Sequence, residues 1–185
     1  MNLFAIYDTR TGTTPLALHM LERELPRHAM TVQDLRDGSP APEALERYDA
    51  ILVGGPIRYG KLSGHLRMYL ERNEQILLAR PLGLFYLCGF ADRTEAYEKL
   101  FPDALRHHAF AIACFGGELN PARARGLDKV MMKAVRSQAL TGGENGWGAE
   151  GIALPSLSDG AIAQFADRIK AVVPQSGIDK NGKLW

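Results

Sequence analysis

Five short apolar runs, each followed by an amphipathic stretch, constrain this chain more than any other feature of its sequence. The runs cover residues 3–7, 30–35, 50–53, 82–87 and 109–115. Apolar runs of this length, set apart by turn residues, read as strands, so five buried strands are expected. Helical patterns fill the intervals, over 15–25, briefly over 42–47, over 63–79, and over 93–101 extending towards His108; a last one covers 156–173. Strands alternating with helices call for right-handed crossovers, a parallel sheet and helices on both faces. In the first helix Thr14 can cap, Pro15 suits the first helical position, Leu18, Leu21 and Leu25 share one face, and Pro26 stops it.

The chain has 185 residues, enough for one domain with a substantial core, expected over 1–175 with a tail at 176–185. A composition of 46% hydrophobic and 23% charged residues places it among ordinary globular proteins, and a formal charge of +1 argues against a nucleic-acid partner. Cys88 and Cys114 both lie in apolar runs, as inert buried thiols do, which fits a reducing cytoplasm. The first residues lack the basic and apolar regions of a leader, and no stretch is long enough to cross a bilayer. The histidines show no metal-ligand spacing, so no metal is expected.

Directly after the first apolar run the sequence reads Asp8-Thr9-Arg10-Thr11-Gly12-Thr13-Thr14, and the first helical pattern follows at once. Hydroxyls and backbone N–H groups then converge at a helix amino terminus, where the dipole favours an anion, and Gly12 permits tight curvature. Neither the nucleoside-triphosphate loop G-x-x-x-x-G-K-[ST] nor the dinucleotide fingerprint G-x-G-x-x-G is present. The run Thr9-Arg10-Thr11-Gly12-Thr13-Thr14 resembles the T-x-T-G-x-T phosphate loop of flavodoxins. That resemblance implies FMN as cofactor and a flavodoxin-like three-layer α/β sandwich with a five-stranded parallel sheet of order 2-1-3-4-5.

In such a sheet the ligand sits where the first and third strands diverge, so the loops after strands three and four flank the ring. The first of these reads Gly54-Gly55-Pro56-Ile57-Arg58-Tyr59-Gly60, with close-approach glycines, a rigid proline and a ring that could lie on the flavin. The second reads Leu87-Cys88-Gly89-Phe90. Together with the phosphate loop, Ile57-Arg58-Tyr59-Gly60 resembles the flavodoxin-domain proteins grouped with the menaquinone-dependent protoporphyrinogen IX dehydrogenase. The likeness extends to an extra helical segment after the fifth strand and to Gly142-Gly143-Glu144. It departs at residues 119–128, which carry no aromatic side chain, so it speaks for the fold and for FMN more than for a porphyrin substrate.

The resemblance implies an FMN-dependent oxidoreductase that passes electrons from a reduced small-molecule substrate to a quinone-type acceptor, with the cofactor as reactive centre and no catalytic side chain assigned. Arg58 and Tyr59 are expected on the substrate side. The alternative is an electron carrier acting with protein partners, which fits a near-neutral chain less well than a strongly acidic one; a third is a flavin-free descendant using the same loop. Arg125, Lys129, Lys133 and Arg136 form a helical stripe within 121–140. Such a stripe suits either a solvated helix face or contact with anionic lipid on the cytoplasmic side of a membrane.

Overall fold

In the computed structural model, the described residues are 1–88, 94–117 and 156–172. Their five strands are β1 (Asn2–Tyr7), β2 (Ala29–Asp34), β3 (Ala50–Pro56), β4 (Leu82–Leu87) and β5 (Ala111–Cys114). They pair in parallel, as the crossover pattern predicts, and in the order β2-β1-β3-β4-β5 that the flavodoxin resemblance implies. The helices are α1 (Thr13–Glu24), α2 (Pro42–Leu45), α3 (Gly64–Arg72), α4 (Glu74–Leu78), α5 (Thr94–Glu98), α6 (Asp103–His108) and α7 (Asp159–Val172). The extra segment after β5, the basic stripe and the terminal tail lie outside the described residues.

Two apolar clusters sandwich the sheet. On one face Leu18, Leu21 and Leu25, the stripe read from the sequence, pack with Phe165 and Ile169 of α7 against Leu3, Leu52 and Phe85. On the other, Leu66 and Leu70 of α3, Leu77 of α4 and Leu105 of α6 cover Ile51, Val53, Leu84 and Tyr86. Each strand therefore sends alternate side chains to opposite helical layers.

The structure corrects several sequence expectations. Not all five strands are buried: β2 is an edge strand on which Val32 is 49% exposed, and β5 is only half-buried. One helix over 63–79 becomes two, because Asn73 turns its side-chain amide back to the Tyr69 carbonyl at 2.9 Å and leaves helical geometry at φ −111. The pattern over 93–108 also divides, with Pro102 at the amino cap of α6. Helix α1 begins at Thr13 with Gly12 as its cap, so Thr14 is inside the first turn and Pro15 is its third residue. A proline is tolerated there because first-turn N–H groups have no intrahelical partner to lose.

His28, in the turn before β2, has both ring nitrogens buried without a hydrogen-bond partner among the described residues. Burial, followed by the charges of the amino terminus and Lys170, holds its pKa below the ordinary value of 6.5. Between the folded and unfolded pKa values the unfolded chain binds more protons, so stability contributed above about pH 6.5 falls as acidification passes through the lower, folded value. Chemical denaturation from pH 7 down to 5 is expected to show this loss, and His28→Leu to reduce its slope; an identical slope in the variant would remove His28 as the cause.

Candidate functional site at the strand switch point

The chain leaves β1 through α1 towards β2 on one side, and returns to β3 on the other. In this topology a crevice opens beyond the carboxyl ends of β1 and β3. Two segments form its walls, and both carry unusual backbone geometry.

The first is the turn from Asp8 into α1. Gly12 has φ 78, a left-handed conformation that glycine adopts without a Cβ penalty. The Gly12 N–H donates to Thr9 Oγ1 at 3.2 Å, curling the loop on itself. Thr14 Oγ1 donates to the Asp8 carbonyl at 3.5 Å, tying the first helical turn to the end of β1. Among the described residues no side chain caps α1. The amides at its start therefore lack the oxygen that a Ser, Thr or Asp cap would supply, while the helix dipole favours negative charge there. A Cβ on Gly12 would meet nothing within 4 Å among the described residues, which leave space open beside the turn.

The second wall follows β3. Arg58 and Lys61 exchange two backbone hydrogen bonds, each 3.0 Å long, closing a two-residue hairpin over Tyr59 and Gly60. Both central residues have positive φ, 53 for Tyr59 and 70 for Gly60, the signature of a type I′ turn. Glycine is at home there, whereas a tyrosine costs on the order of 1 kcal/mol. The strained turn holds the Tyr59 side chain 60% exposed. Behind it, the amides of Ile57 and Arg58 are used by the carbonyls of Leu87 and Lys61.

Between these walls lies a cavity of about 410 Å³ lined by Asp8, Arg10, Arg36, Arg58, Tyr59 and Lys61, with Ser63 and His65 at one side. Its size is that of a small-molecule site. Four cationic side chains face one carboxylate, Asp8, and that carboxylate is paired: Arg36 Nε donates to Asp8 Oδ1 at 2.7 Å. At the neighbouring strand ends, burial pushes the Tyr7 phenol and the Asp34 carboxyl above their ordinary pKa values. The charges of Asp34 and Asp37 add to the shift on Tyr7, and those of Asp8 and Asp37 to that on Asp34. Basic residues outnumber acidic ones along the cavity lining.

The family model of the flavodoxin domain matches residues 4–145. The chain belongs to that family. Protoporphyrinogen IX dehydrogenase (quinone) of Leishmania major is 26% identical over 149 residues, which are 75% of this chain and 63% of that protein. NAD(P)H dehydrogenase (quinone) of Solidesulfovibrio magneticus is 28% identical over 139 residues, 68% of this chain and 62% of that protein. The chain thus spans a little under two thirds of the length of each of these relatives. Among solved structures, a short-chain flavodoxin associated with a bacterial microcompartment shares the fold at TM-score 0.51 and 11% identity, over 94% of this chain and 99% of that one.

Within this flavodoxin domain the residues expected at the site fall into distinct places. Arg10, Pro56, Arg58 and Tyr59 line the cavity. Thr9, Thr11 and Gly12 are half-exposed beside it, whereas Thr13 and Thr14 are buried in the first turn of α1. Gly60 forms the exposed hairpin tip, and its amide has no partner among the described residues. Ile57, Leu87 and Cys88 are buried, with their side chains in the apolar clusters, so any contact they make with a ligand is through backbone. Gly89 and Phe90 lie outside the described residues.

Gly54 and Gly55 are required by the packing of the sheet itself. A Cβ on Gly54 would strike the carbonyl oxygen and ring of Phe85, and one on Gly55 would stand 3.0 Å from the Asp8 carbonyl oxygen. Sequence reasoning missed Arg36, Lys61, Ser63 and His65 at the cavity. Ser63 carried a readable signal, a serine immediately before a helical pattern; its Oγ accepts the Leu66 N–H at 3.1 Å and caps α3. Among the described residues no helix is long and apolar enough to cross a membrane, and no group of three or more His, Cys, Asp or Glu side chains could hold a metal ion.

Proposed function

We propose that the chain is a single domain over 1–175 that binds FMN at this crevice and acts as an FMN-dependent oxidoreductase. Electrons pass from a reduced small-molecule substrate to a quinone-type acceptor. The observation that carries the reading is the uncapped amino terminus of α1, which opens onto a cation-lined cleft at the sheet's switch point. The residues fit a phosphate monoester: Thr9 and Thr11 supply hydroxyls, the start of α1 supplies amides, and Gly12 leaves room. Both curated relatives are named as quinone-linked dehydrogenases, which supports the acceptor class.

Bound FMN supplies the redox chemistry. The chain's own residues orient and tune it. The hairpin over 56–60 and the end of β4 at Leu87 and Cys88 would flank its ring. Tyr59 would cover one face from its strained turn, the Gly60 N–H would be placed to hydrogen-bond the ring edge, and Arg58 would face the substrate. The cleft's positive lining suits an anionic or electron-rich reductant better than the basic docking face of a reductase protein. The basic stripe within 121–140 is the part of the sequence suited to approach an anionic membrane surface.

Flavin reduction should be followed in the purified holoprotein with protoporphyrinogen, with NAD(P)H and with a flavodoxin reductase, each in the presence of a soluble quinone. Turnover with a small-molecule donor is expected. Reduction by the protein donor alone would replace this reading with that of an electron carrier. Tyr59→Asn keeps the hairpin, because Asn-Gly is the favoured type I′ pair. Removing the ring contact, worth roughly 0.5–1.5 kcal/mol, is then expected to weaken FMN binding about two- to tenfold and to shift the flavin absorption bands. Unchanged affinity and bands would show that Tyr59 does not cover the flavin.

A further inference from the structure

The cofactor-phosphate turn begins with a buried acid. Asp8 is 2% exposed, at the end of β1 where the turn starts, and its carbonyl accepts the Thr14 hydroxyl that fixes the first turn of α1. Asp34 and Asp37 stand close enough that the charges of Asp8 and Asp37 both bear on the Asp34 carboxyl. An acid so placed opposes an anionic ligand, because carboxylates out of water repel a phosphate over several ångströms.

Arg36 is the cation set among these acids. It follows β2, 28 residues from Asp8 in sequence, and its backbone is fixed by the Arg36 N–H donating to Asp34 Oδ1 at 3.0 Å. Its side chain is about one-third exposed, and it spends Nε on Asp8 at 2.7 Å. Its two terminal nitrogens make no hydrogen bond to the described residues, and Arg36 lines the cavity. Asp8 and Arg36 therefore form a built pair: one member is buried at the phosphate turn and the other is held by a separate strand.

We infer that Arg36 is a positioning residue of the cofactor site, neutralising buried Asp8 so that the turn over 9–14 accepts a phosphate dianion. This rests on the proposed binding of FMN. The role is indirect, which separates it from a simple phosphate contact: it exists only because Asp8 is there, so removing Asp8 should remove the need for Arg36.

The test is FMN titration of the full-length apoprotein, followed by quenching of flavin fluorescence, with far-ultraviolet circular dichroism and thermal melting of each variant as a check on folding. Arg36→Gln is expected to weaken FMN binding about tenfold to a hundredfold, the effect of one uncovered charge at this range. Asp8→Asn should bind as tightly as the unaltered chain or tighter. The double variant Asp8→Asn/Arg36→Gln should regain affinity to within a few-fold, and Arg36→Lys, which keeps the charge, should stay close to the unaltered protein. Loss that persists in the double variant would overturn the inference in favour of direct phosphate contact, and equal affinity in Arg36→Gln would overturn it outright. Should Arg36→Gln fail to fold, the comparison of Arg36→Lys, Asp8→Asn and the double variant still decides. If the unaltered chain takes up no FMN, it is the proposed cofactor that fails rather than the role of Arg36.

Discussion

Gly54→Ala is expected to destabilise the domain by at least about 3 kcal/mol, the upper part of the range for overpacked cores. Gly54 is in the central strand β3, paired on one side with Tyr7 and on the other with Phe85. A Cβ there would overlap the Phe85 carbonyl oxygen and stand 2.6 Å from its ring. That ring has no room to retreat, because it stacks on Phe115 at 5.1 Å and is completely buried. With a total stability of roughly 5–15 kcal/mol, such a loss is a large fraction of the whole. For a chain of this size it corresponds to a fall in melting temperature of about 6–12 °C or more. Gly64→Ala is the control: it is the first residue of α3, an added Cβ would meet nothing within 4 Å among the described residues, and its effect should be under about 1 kcal/mol. Equal melting temperatures for Gly54→Ala and the unaltered protein would mean that β3 and β4 do not approach as described.

The second large effect separates binding from folding. Gly12→Asp places a carboxylate at the amino cap of α1, where the dipole welcomes it, and aspartate tolerates left-handed backbone better than most side chains. The apoprotein should therefore lose no more than about 1 kcal/mol of stability. The same carboxylate would occupy the open space beside the turn, where the phosphate is proposed to sit. Repulsion between the two at close range is expected to weaken FMN binding by on the order of a hundredfold or more. Parallel thermal melts and FMN titrations check both halves. Unimpaired binding in a folded Gly12→Asp variant would move the phosphate away from this turn.

Much of the fold is legible because it follows from local patterns. Apolar runs of strand length, the leucine spacing of α1 and the stop at Pro26 mark elements whose burial depends on period alone. The turn over 9–14 is legible for the same reason: its glycine and hydroxyls are consecutive in sequence, and the helix they begin is local. What escaped depends on partners distant in sequence. The burial of β2 could not be read from its apolar content, since an edge position is decided by strand order. Gly54 and Gly55 next to a ligand-type loop invited a functional reading, but the contacts that require them come from Phe85 and Asp8. The hairpin at Tyr59 was hidden because Tyr-Gly is an unusual type I′ pair, and a strained residue leaves no propensity signal. The pairing of Asp8 with Arg36 joins two strand ends that become neighbours only when the sheet forms.

The phosphate cradle itself is tested most directly by titrating the full-length apoprotein with FMN and, in parallel, with riboflavin, which carries the same ring and no phosphate. Saturable one-to-one binding of FMN at micromolar concentration or below is expected, with riboflavin bound on the order of a hundredfold more weakly, as befits a helix-terminus anion site. Equal affinity for the two flavins, or no uptake of FMN, would contradict the assignment of residues 9–14 as the grip on the cofactor.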